Sequence, residues 1–224
     1  MTVHSLIVRG MSPRPRETTD AAILEATHRA VSRYGPARLT LAHVAAEVGV
    51  APATLMQRFG SKRGLLLALA RQGSGATGHE YAAIRAAHPS PLAALFAVAD
   101  CMAGMAPTPE ELANHLAFLH IDLTDPDFHR LALEQARAAR AEIRAFLDDA
   151  VKAGELTPCD TERLARAVGV TLGGGLLAWA IEREGTAADS LRYELETLLG
   201  PYRRSGKAAR TRQRGTRARD KRGS

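Results

Sequence analysis

The spacing of three residues between positions 40 and 59 constrains this chain more than any other feature of its sequence. Ala45, Gly49 and Leu55 stand four and six residues apart, between two short segments with helical periodicity. A small residue lets two helices approach, a glycine adopts the left-handed conformation of a tight turn, and a leucine packs the second helix on the first. The pattern predicts a helix-turn-helix. Its supporting core positions are Val44, Val48, Val50 and Phe59.

Helix signals continue along the chain, and no segment has the alternating pattern of a strand. Apolar residues make up 46% of the sequence and aromatic residues only 4%, with alanine, leucine and arginine dominant, which favours helices. We expect an all-α fold of about nine helices, with the fourth ending or fraying among the glycines of residues 71–80. Helix starts are expected at the capping residues Thr18 to Asp20, Thr40, Ser61, Asp125-Pro126 and Thr157 to Asp160.

Charge is distributed unevenly along the chain. Residues 201–224 contain ten Lys or Arg and one acid, Asp220, whereas the rest of the chain is slightly acidic. We expect this basic tail to be disordered, and its role as a DNA-binding arm or as a solvated end stays open. Residues 1–17 are expected to form a flexible arm, and Met11 can be the true start. Two roles stay open for Arg14 and Arg16: contact with a minor groove, or a disordered leader without a role, which is the favoured alternative.

Composition also excludes some classes of protein. No run of about 18 uncharged apolar residues exists, so we expect no membrane span. The apolar run near the start is too short for a signal peptide, which predicts a cytoplasmic protein. Cys101 and Cys159 form no CxxC pair and are expected to be free thiols. Serine-hydrolase, zinc-protease and phosphate-loop motifs are missing, so we expect no enzyme and no cofactor.

The amino-terminal segment resembles the DNA-binding domain of the TetR/AcrR family of transcriptional regulators over about residues 18–70. The matching positions are Ile23-Leu24, Tyr34-Gly35, Thr40, Val44-Ala45, Gly49-Val50, Thr54-Leu55, Phe59, Ser61-Lys62 and Leu65-Leu66. The resemblance implies an all-helical regulator with the helix-turn-helix at residues 40–59, an effector-binding and dimerisation domain over residues 71–200, and a repressor function. The implied partners are a palindromic double-stranded DNA operator, a second copy of the chain and a small apolar effector.

The resemblance also implies which residues contact DNA. We expect Arg58 to fork onto guanine and Gln57 to pair with adenine, while Thr40, Arg38 and Lys62 contact phosphate. Met56 stands where the family usually has a phosphate-binding tyrosine. The residues expected to face or border DNA are Arg38, Thr40, Ala51, Pro52, Ala53, Thr54, Met56, Gln57, Arg58 and Lys62.

The family's second domain implies an effector pocket and a dimer interface. The expected pocket residues are Phe96, Cys101, Met102, Met105, His115, Phe118, Leu119, Leu176 and Trp179, with Leu116, Leu172 and His120 as further possibilities. The expected dimer residues are Leu164, Val168, Leu177, Leu191, Leu195 and Leu198. Gly173 to Gly175 fall inside a helix, which indicates close helix approach or room for a ligand.

Three alternatives follow from particular residues. A metal site at His115, His120, Asp122 and His129 is disfavoured, because His115 and His120 diverge around a helix. A sequence-independent DNA-coating protein driven by the basic tail is the main competing function. An all-helical enzyme is the other, and it lacks any motif that supports it.

Overall fold

A computed structural model describes residues 18–204 of the chain. The arm with Arg14 and Arg16, and the tail from residue 205 onward, lie outside the described residues. Nine α-helices make up the described part: α1 Asp20–Arg38, α2 Leu41–Val48, α3 Pro52–Phe59, α4 Lys62–Ala87, α5 Pro91–Met105, α6 Pro109–Thr124, α7 Pro126–Lys152, α8 Thr161–Glu182 and α9 Ala187–Leu199. This confirms the expected all-α class.

Most of the expected capping residues begin helices. The side chains of Thr19, Thr40, Ser61 and Asp125 each accept a hydrogen bond from a backbone N–H in the first turn of the following helix. At the start of α8, however, the cap is Asp160, so Thr157 and Pro158 lie before the helix rather than inside its first turn.

The glycines of residues 71–80 do not end α4, as the sequence led us to expect. The helix continues over 26 residues through Gly73, Gly75 and Gly78. Long contact with α7 and the burial of Thr77, which is 3% exposed, offset the low helix propensity of glycine. A single rigid helix therefore joins the amino-terminal helices to the rest of the molecule.

Two hydrophobic cores organise the described residues. The first is built by α1 to α4, and Phe128 and Leu131 at the start of α7 complete it. The second is built by α5 and α7 to α9, around Phe146, Leu172 and Leu191. Because α7 contributes to both cores, its first turns tie the helix-turn-helix region to the carboxy-terminal helices.

Ordered structure extends slightly into the segment expected to be a disordered tail. Gly200–Tyr202 forms a 3-10 turn, Arg203 pairs with Leu156 as an isolated β-bridge, and the Thr157 N–H donates to the Tyr202 carbonyl at 2.8 Å. These backbone hydrogen bonds fix residues 201–204 against the turn before α8.

Helix α8 is long and apolar enough to cross a membrane by length and composition alone, a property that core helices share. Thr161–Glu182 is 22 residues long and mostly apolar. The side of the helix that carries Leu164, Val168 and Leu172 packs into the second core. Its hydropathy is therefore that of a central helix in a bundle.

Candidate DNA-binding interface

The turn between α2 and α3 has the expected geometry. Gly49 caps α2 with φ 71° and ψ 32°, in the left-handed region, and its N–H bonds the Ala45 carbonyl. Glycine reaches that region without the steric cost that a Cβ atom brings. Ala45 is 1% exposed and Leu55 is fully buried, so the two helices nest as the spacing predicts.

Helix α3 projects from this nest with most of its residues in solvent. It begins at Pro52, which suits a first helical position, and its amino-cap residue Ala51 makes no side-chain cap. Only Leu55 of α3 is buried. The exposed residues in and before the helix are Ala51, Pro52, Ala53, Met56, Gln57 and Arg58, while Thr54 and Phe59 are half-buried. The segment expected to contact DNA is therefore accessible.

Arg58 differs from the expectation that it forks freely towards a base. Its guanidinium donates a hydrogen bond to the Thr18 carbonyl and forms an ion pair with Asp20 at 3.1 Å. Asp20 is the first residue of α1 and Thr18 lies just before its cap, and the Arg58 side chain is only 30% exposed. Asp20 is the partner that the sequence reasoning missed, because the two residues lie 38 positions apart.

The three expected phosphate-contacting residues lie near one another at the edge of the same domain. Lys62 Nζ donates to the Ala37 carbonyl at 2.9 Å, next to Arg38 in the chain, and Arg38 Nε donates to the Tyr34 carbonyl at 3.1 Å. Thr40 Oγ1 accepts from the His43 N–H at 3.2 Å and so caps α2. This rim is positively charged and lies at the amino-terminal end of a helix, an arrangement that favours anions.

Comparison with known proteins identifies the domain. Residues 23–69 match the model of the bacterial regulatory proteins of the tetR family. Its helix-turn-helix domain is a TetR-family DNA-binding domain, and the chain is a DNA-binding transcriptional regulator. No curated protein sequence matches it.

Solved structures similar to the regulator extend the likeness in fold to most of the chain. A TetR-family transcriptional regulator from Agrobacterium tumefaciens is 19% identical with a TM-score of 0.66, covering 83% of this chain and 97% of that one. SmeT, the repressor of the Stenotrophomonas maltophilia multidrug efflux pump SmeDEF, is 22% identical with a TM-score of 0.61, covering 85% and 93%. FadR from Bacillus subtilis, solved with stearoyl-CoA, is 15% identical with a TM-score of 0.56, covering 79% and 95%.

The residues expected to form the regulator's effector pocket do not meet in one cavity. Met102, Leu172, Leu176 and Trp179 pack in or against the second core, and Phe96 lies beneath the Arg192 and Arg203 guanidinium groups. Phe118 packs against the first core, and Leu116 and Leu119 are exposed at 37% and 45%. The helical periodicity of these apolar residues predicts that they face inward, but it does not predict which neighbouring helix each one contacts.

Two open cavities of suitable size lie where the domains meet. The larger, about 780 Å³, lies between α1 and the α5–α6 corner and includes Cys101 and Met105 among charged residues. His115 lies near it, and its Nε2 is 3.1 Å from the Met105 carbonyl oxygen. The smaller, about 560 Å³, is mostly apolar and is lined by Pro36, Ala37, Lys62, Arg63, Leu66, Ala117, His120, Ile121, Asp125 and Phe128. Of the three polar residues expected in the pocket, Cys101, His115 and His120, only His120 lines this second cavity.

The expected dimer residues are mostly internal to one subunit, which corrects that prediction. Leu164 is 4% exposed and Val168, Leu191 and Leu195 are fully buried, so they have no surface to offer a partner. Leu198 is half-buried and packs on the second core. Only Leu177, 42% exposed, faces solvent.

A different apolar stripe of α8 is exposed. Val170 and Ile181 are 69% and 82% exposed, and with Leu177 they repeat at helical spacing. Gly173 and Gly174 lie between them with open space around their Cβ positions, whereas a Cβ on Gly175 would come within 2.8 Å of Leu191. Gly175 thus allows α9 to pack closely on α8. Gly173 and Gly174 lack side chains and so leave the exposed face of α8 flat.

The disfavoured metal site finds no geometry to support it in residues 18–204. No group of three or more potential metal ligands gathers there. His115 Nε2 instead lies within hydrogen-bond distance of Ser32 Oγ and the Met105 carbonyl, which joins α6 to α1 and α5.

Proposed function

We propose that the regulator is a homodimeric repressor that binds a palindromic operator and is released by a small apolar effector. The observation that carries the proposal is the projection of α3 from the helix-turn-helix, with Leu55 buried and Ala53 and Gln57 in solvent. An exposed helix of this kind fits the major groove. DNA as the partner also supports a site of action in the cytoplasm.

The exposed stripe of α8 supports the dimer. The apolar face of α8 consists of Val170, Leu177 and Ile181, and soluble proteins usually cover such a face with a partner. Gly173 and Gly174 on the same face allow another helix to approach closely. An isologous interface along this face would pair the two copies by a two-fold axis. The two α3 helices would then read half-sites about one DNA turn, or a multiple of it, apart.

The smaller cavity is the proposed effector site. Its volume of about 560 Å³ suits a small ligand, and Leu66, Ile121 and Phe128 give it apolar walls. It lies against the first core, between α1 and α4 on one side and α6 and the start of α7 on the other, and beside Lys62, whose ammonium bonds the Ala37 carbonyl at the DNA-facing edge. An effector that fits better when α4 and α6 are apart would favour a state with misplaced reading heads. FadR, a relative in fold, was solved in complex with stearoyl-CoA.

Selection of bound duplexes from a random pool tests the function directly. The full chain is expected to enrich a palindrome whose half-sites are separated by one or two helical turns. A matched protein ending at Arg204 keeps Arg203 and Arg204 on the folded domain and removes only the residues beyond it. We expect it to enrich the same palindrome with weaker, less salt-sensitive affinity.

The same selection distinguishes the DNA-coating alternative. A coating protein would enrich no sequence with the full chain and would lose binding altogether without the tail. Either result would contradict the proposed regulator mechanism.

A fluorescent apolar probe tests the effector site. 8-Anilinonaphthalene-1-sulfonate is expected to bind the wild-type protein and to lower its affinity for the selected duplex. Ala117→Trp, which fills the small cavity, should abolish both effects, whereas Ala113→Trp on the same helix but outside the cavity lining should not. Equal probe binding by all three proteins would exclude this cavity as the site.

A further inference from the structure

The outward face of α3 has an unusual chemistry for a helix that reads DNA. Ala53 and Gln57 lie two residues before and two residues after the buried Leu55. At about 100° per residue, both point almost directly away from the core. Ala51 and Pro52 are exposed at the amino-terminal end of the helix, and Met56, 50% exposed, flanks the outward face. The face therefore presents several apolar groups and one amide.

No free cation supplements this face within α3. Arg58 is the one basic residue among the eight of the helix, and its guanidinium is held by Asp20 and the Thr18 carbonyl. Lys62 and Arg38 lie outside α3 and bond the backbone at the edge of the domain. The usual partner for a guanine in the major groove is a bidentate arginine or lysine, and α3 directs neither outward.

We propose that α3 recognises an operator half-site through thymine methyl groups packed on Ala51, Pro52 and Ala53, with Gln57 paired to one adenine. Arg58 is a positioning residue that anchors α3 to α1 rather than a reader of guanine. This inference rests on the proposed function and specifies the DNA chemistry of the same site.

The physical basis is the major-groove pattern of an A·T pair. Its thymine presents an apolar C5-methyl group, and its adenine presents the N6–H donor and N7 acceptor that a glutamine amide matches in bidentate fashion. Burial of one methyl-sized group against an alanine is expected to change affinity about 4-fold. The bidentate amide is expected to contribute roughly 5- to 150-fold discrimination at its own base pair.

Deoxyuridine substitution in the selected palindrome isolates the methyl contribution. Uracil keeps every hydrogen-bonding group of thymine and removes only the methyl. We expect each thymine facing the start of α3 to lose about 4-fold in affinity when replaced by deoxyuridine. The same replacement outside the half-sites should have no effect. Ala53→Gly should shrink the penalty at one position, and circular dichroism checks that this exposed variant remains folded.

Base preferences of two variants separate reading from positioning. Gln57→Ala should relax preference at a single A·T pair and leave the other positions unchanged. Arg58→Gln should lower affinity for all sequences while it leaves the base preference at every position intact. A merely structural defect would not produce the loss of preference at one pair.

The outcomes distinguish this inference from the function on which it rests. If the full chain selects no sequence, both are overturned. If it selects a palindrome that tolerates deoxyuridine throughout, or contains a guanine whose preference disappears in Arg58→Gln, the operator function stands and the methyl readout is wrong.

Discussion

Arg63, in the first turn of α4, donates hydrogen bonds to the carboxylate of Asp125, the residue that caps α7. Its Nε lies 3.1 Å from Asp125 Oδ2, and its second guanidinium nitrogen lies 2.8 Å from each oxygen. The same group reaches Asp127 at 2.8 Å and lies over the Phe128 ring. Hydrogen bonds from Arg63 hold the pKa of Asp125 below its usual value. These contacts of Arg63 with Asp125 and Asp127, called the clasp below, join α4 of the DNA-binding domain to α7, the helix that contributes to both cores.

Removal of this clasp should uncouple the domains more than it destabilises them. Arg63→Ala should lower stability slightly, since the pair is exposed, and should reduce the effect of the apolar probe on DNA affinity. A double-mutant cycle with Asp125→Asn, which retains a helix cap, measures the interaction energy between Arg63 and Asp125. We expect this interaction energy to vanish in about 1 M salt, because salt screens exposed charges.

Arg130→Ala is the matched control for the clasp. Arg130 pairs with Glu134 within α7 and joins no second element. Equal effects of the two arginine substitutions on the probe response would contradict a coupling role for Arg63.

Gly49→Ala tests the turn of the helix-turn-helix. No atom lies within 4 Å of an added Cβ, so the cost is that of the left-handed backbone alone. We expect a loss of about 1–2 kcal/mol in the free energy of unfolding. Gly78→Ala, inside α4 and equally open, should instead raise it by about 0.5–1 kcal/mol. Denaturant unfolding of both variants checks this, and a gain in stability for Gly49→Ala would show that the turn is not strained.

His115 should make stability depend on pH near neutrality. Burial, followed by the nearby His28, lowers the pKa of His115, while the Met105 carbonyl and Glu111 act weakly in the opposite direction. The unfolded chain therefore binds a proton more readily. The stability is present above the ordinary histidine pKa of about 6.5 and is lost as pH falls from there towards the folded value. Urea unfolding between about pH 7.5 and 5 should show this decline.

His115→Gln isolates the histidine from other groups that titrate in the same range. Burial raises the pKa of Asp122 to about 6, so this group makes the free energy of unfolding rise as pH falls through that range. The contribution is the same in the wild-type protein and in His115→Gln. The difference between wild type and variant removes that contribution. We expect the variant to lose less stability on acidification, and parallel curves would exclude His115 as the cause.

Ile181→Glu tests the proposed dimer face. A charge at the most exposed apolar position of α8, 82% exposed, should give a monomer in light scattering. Affinity for the palindrome should fall by roughly two orders of magnitude or more, because the second half-site no longer binds in the same event. Leu123→Glu, at an exposed leucine of α6, should remain dimeric. A dimeric Ile181→Glu protein would place the interface elsewhere.

Local signals in the sequence predict local structure well in this chain. The left-handed glycine at Gly49 and the caps at Thr40 and Ser61 act within a few residues, so their outcome does not depend on the rest of the fold. The glycines of α4 misled because the compensating contact comes from α7. Helix propensity depends on the residue itself and its near neighbours, so it cannot predict a contact with a helix that lies much later in the sequence.

Residues of the site that depend on distant partners could not be predicted. From the sequence alone, Arg58 is expected to contact a DNA base, whereas in the structure its guanidinium forms an ion pair with Asp20. The wrong choice of dimer residues has the same origin. Val168 and Val170 are both apolar residues of α8, and only the positions of α9 and the core decide that Val168 is buried and Val170 exposed.

Titration of the selected palindrome against a scrambled duplex of equal length, at physiological salt, is the sharpest test of operator recognition by α3. We expect the full chain to prefer the palindrome by roughly 1,000-fold or more, the lower end for specific DNA-binding proteins, and Gln57→Ala to narrow that ratio. Equal affinity for the two duplexes, with the same salt dependence, would contradict operator recognition.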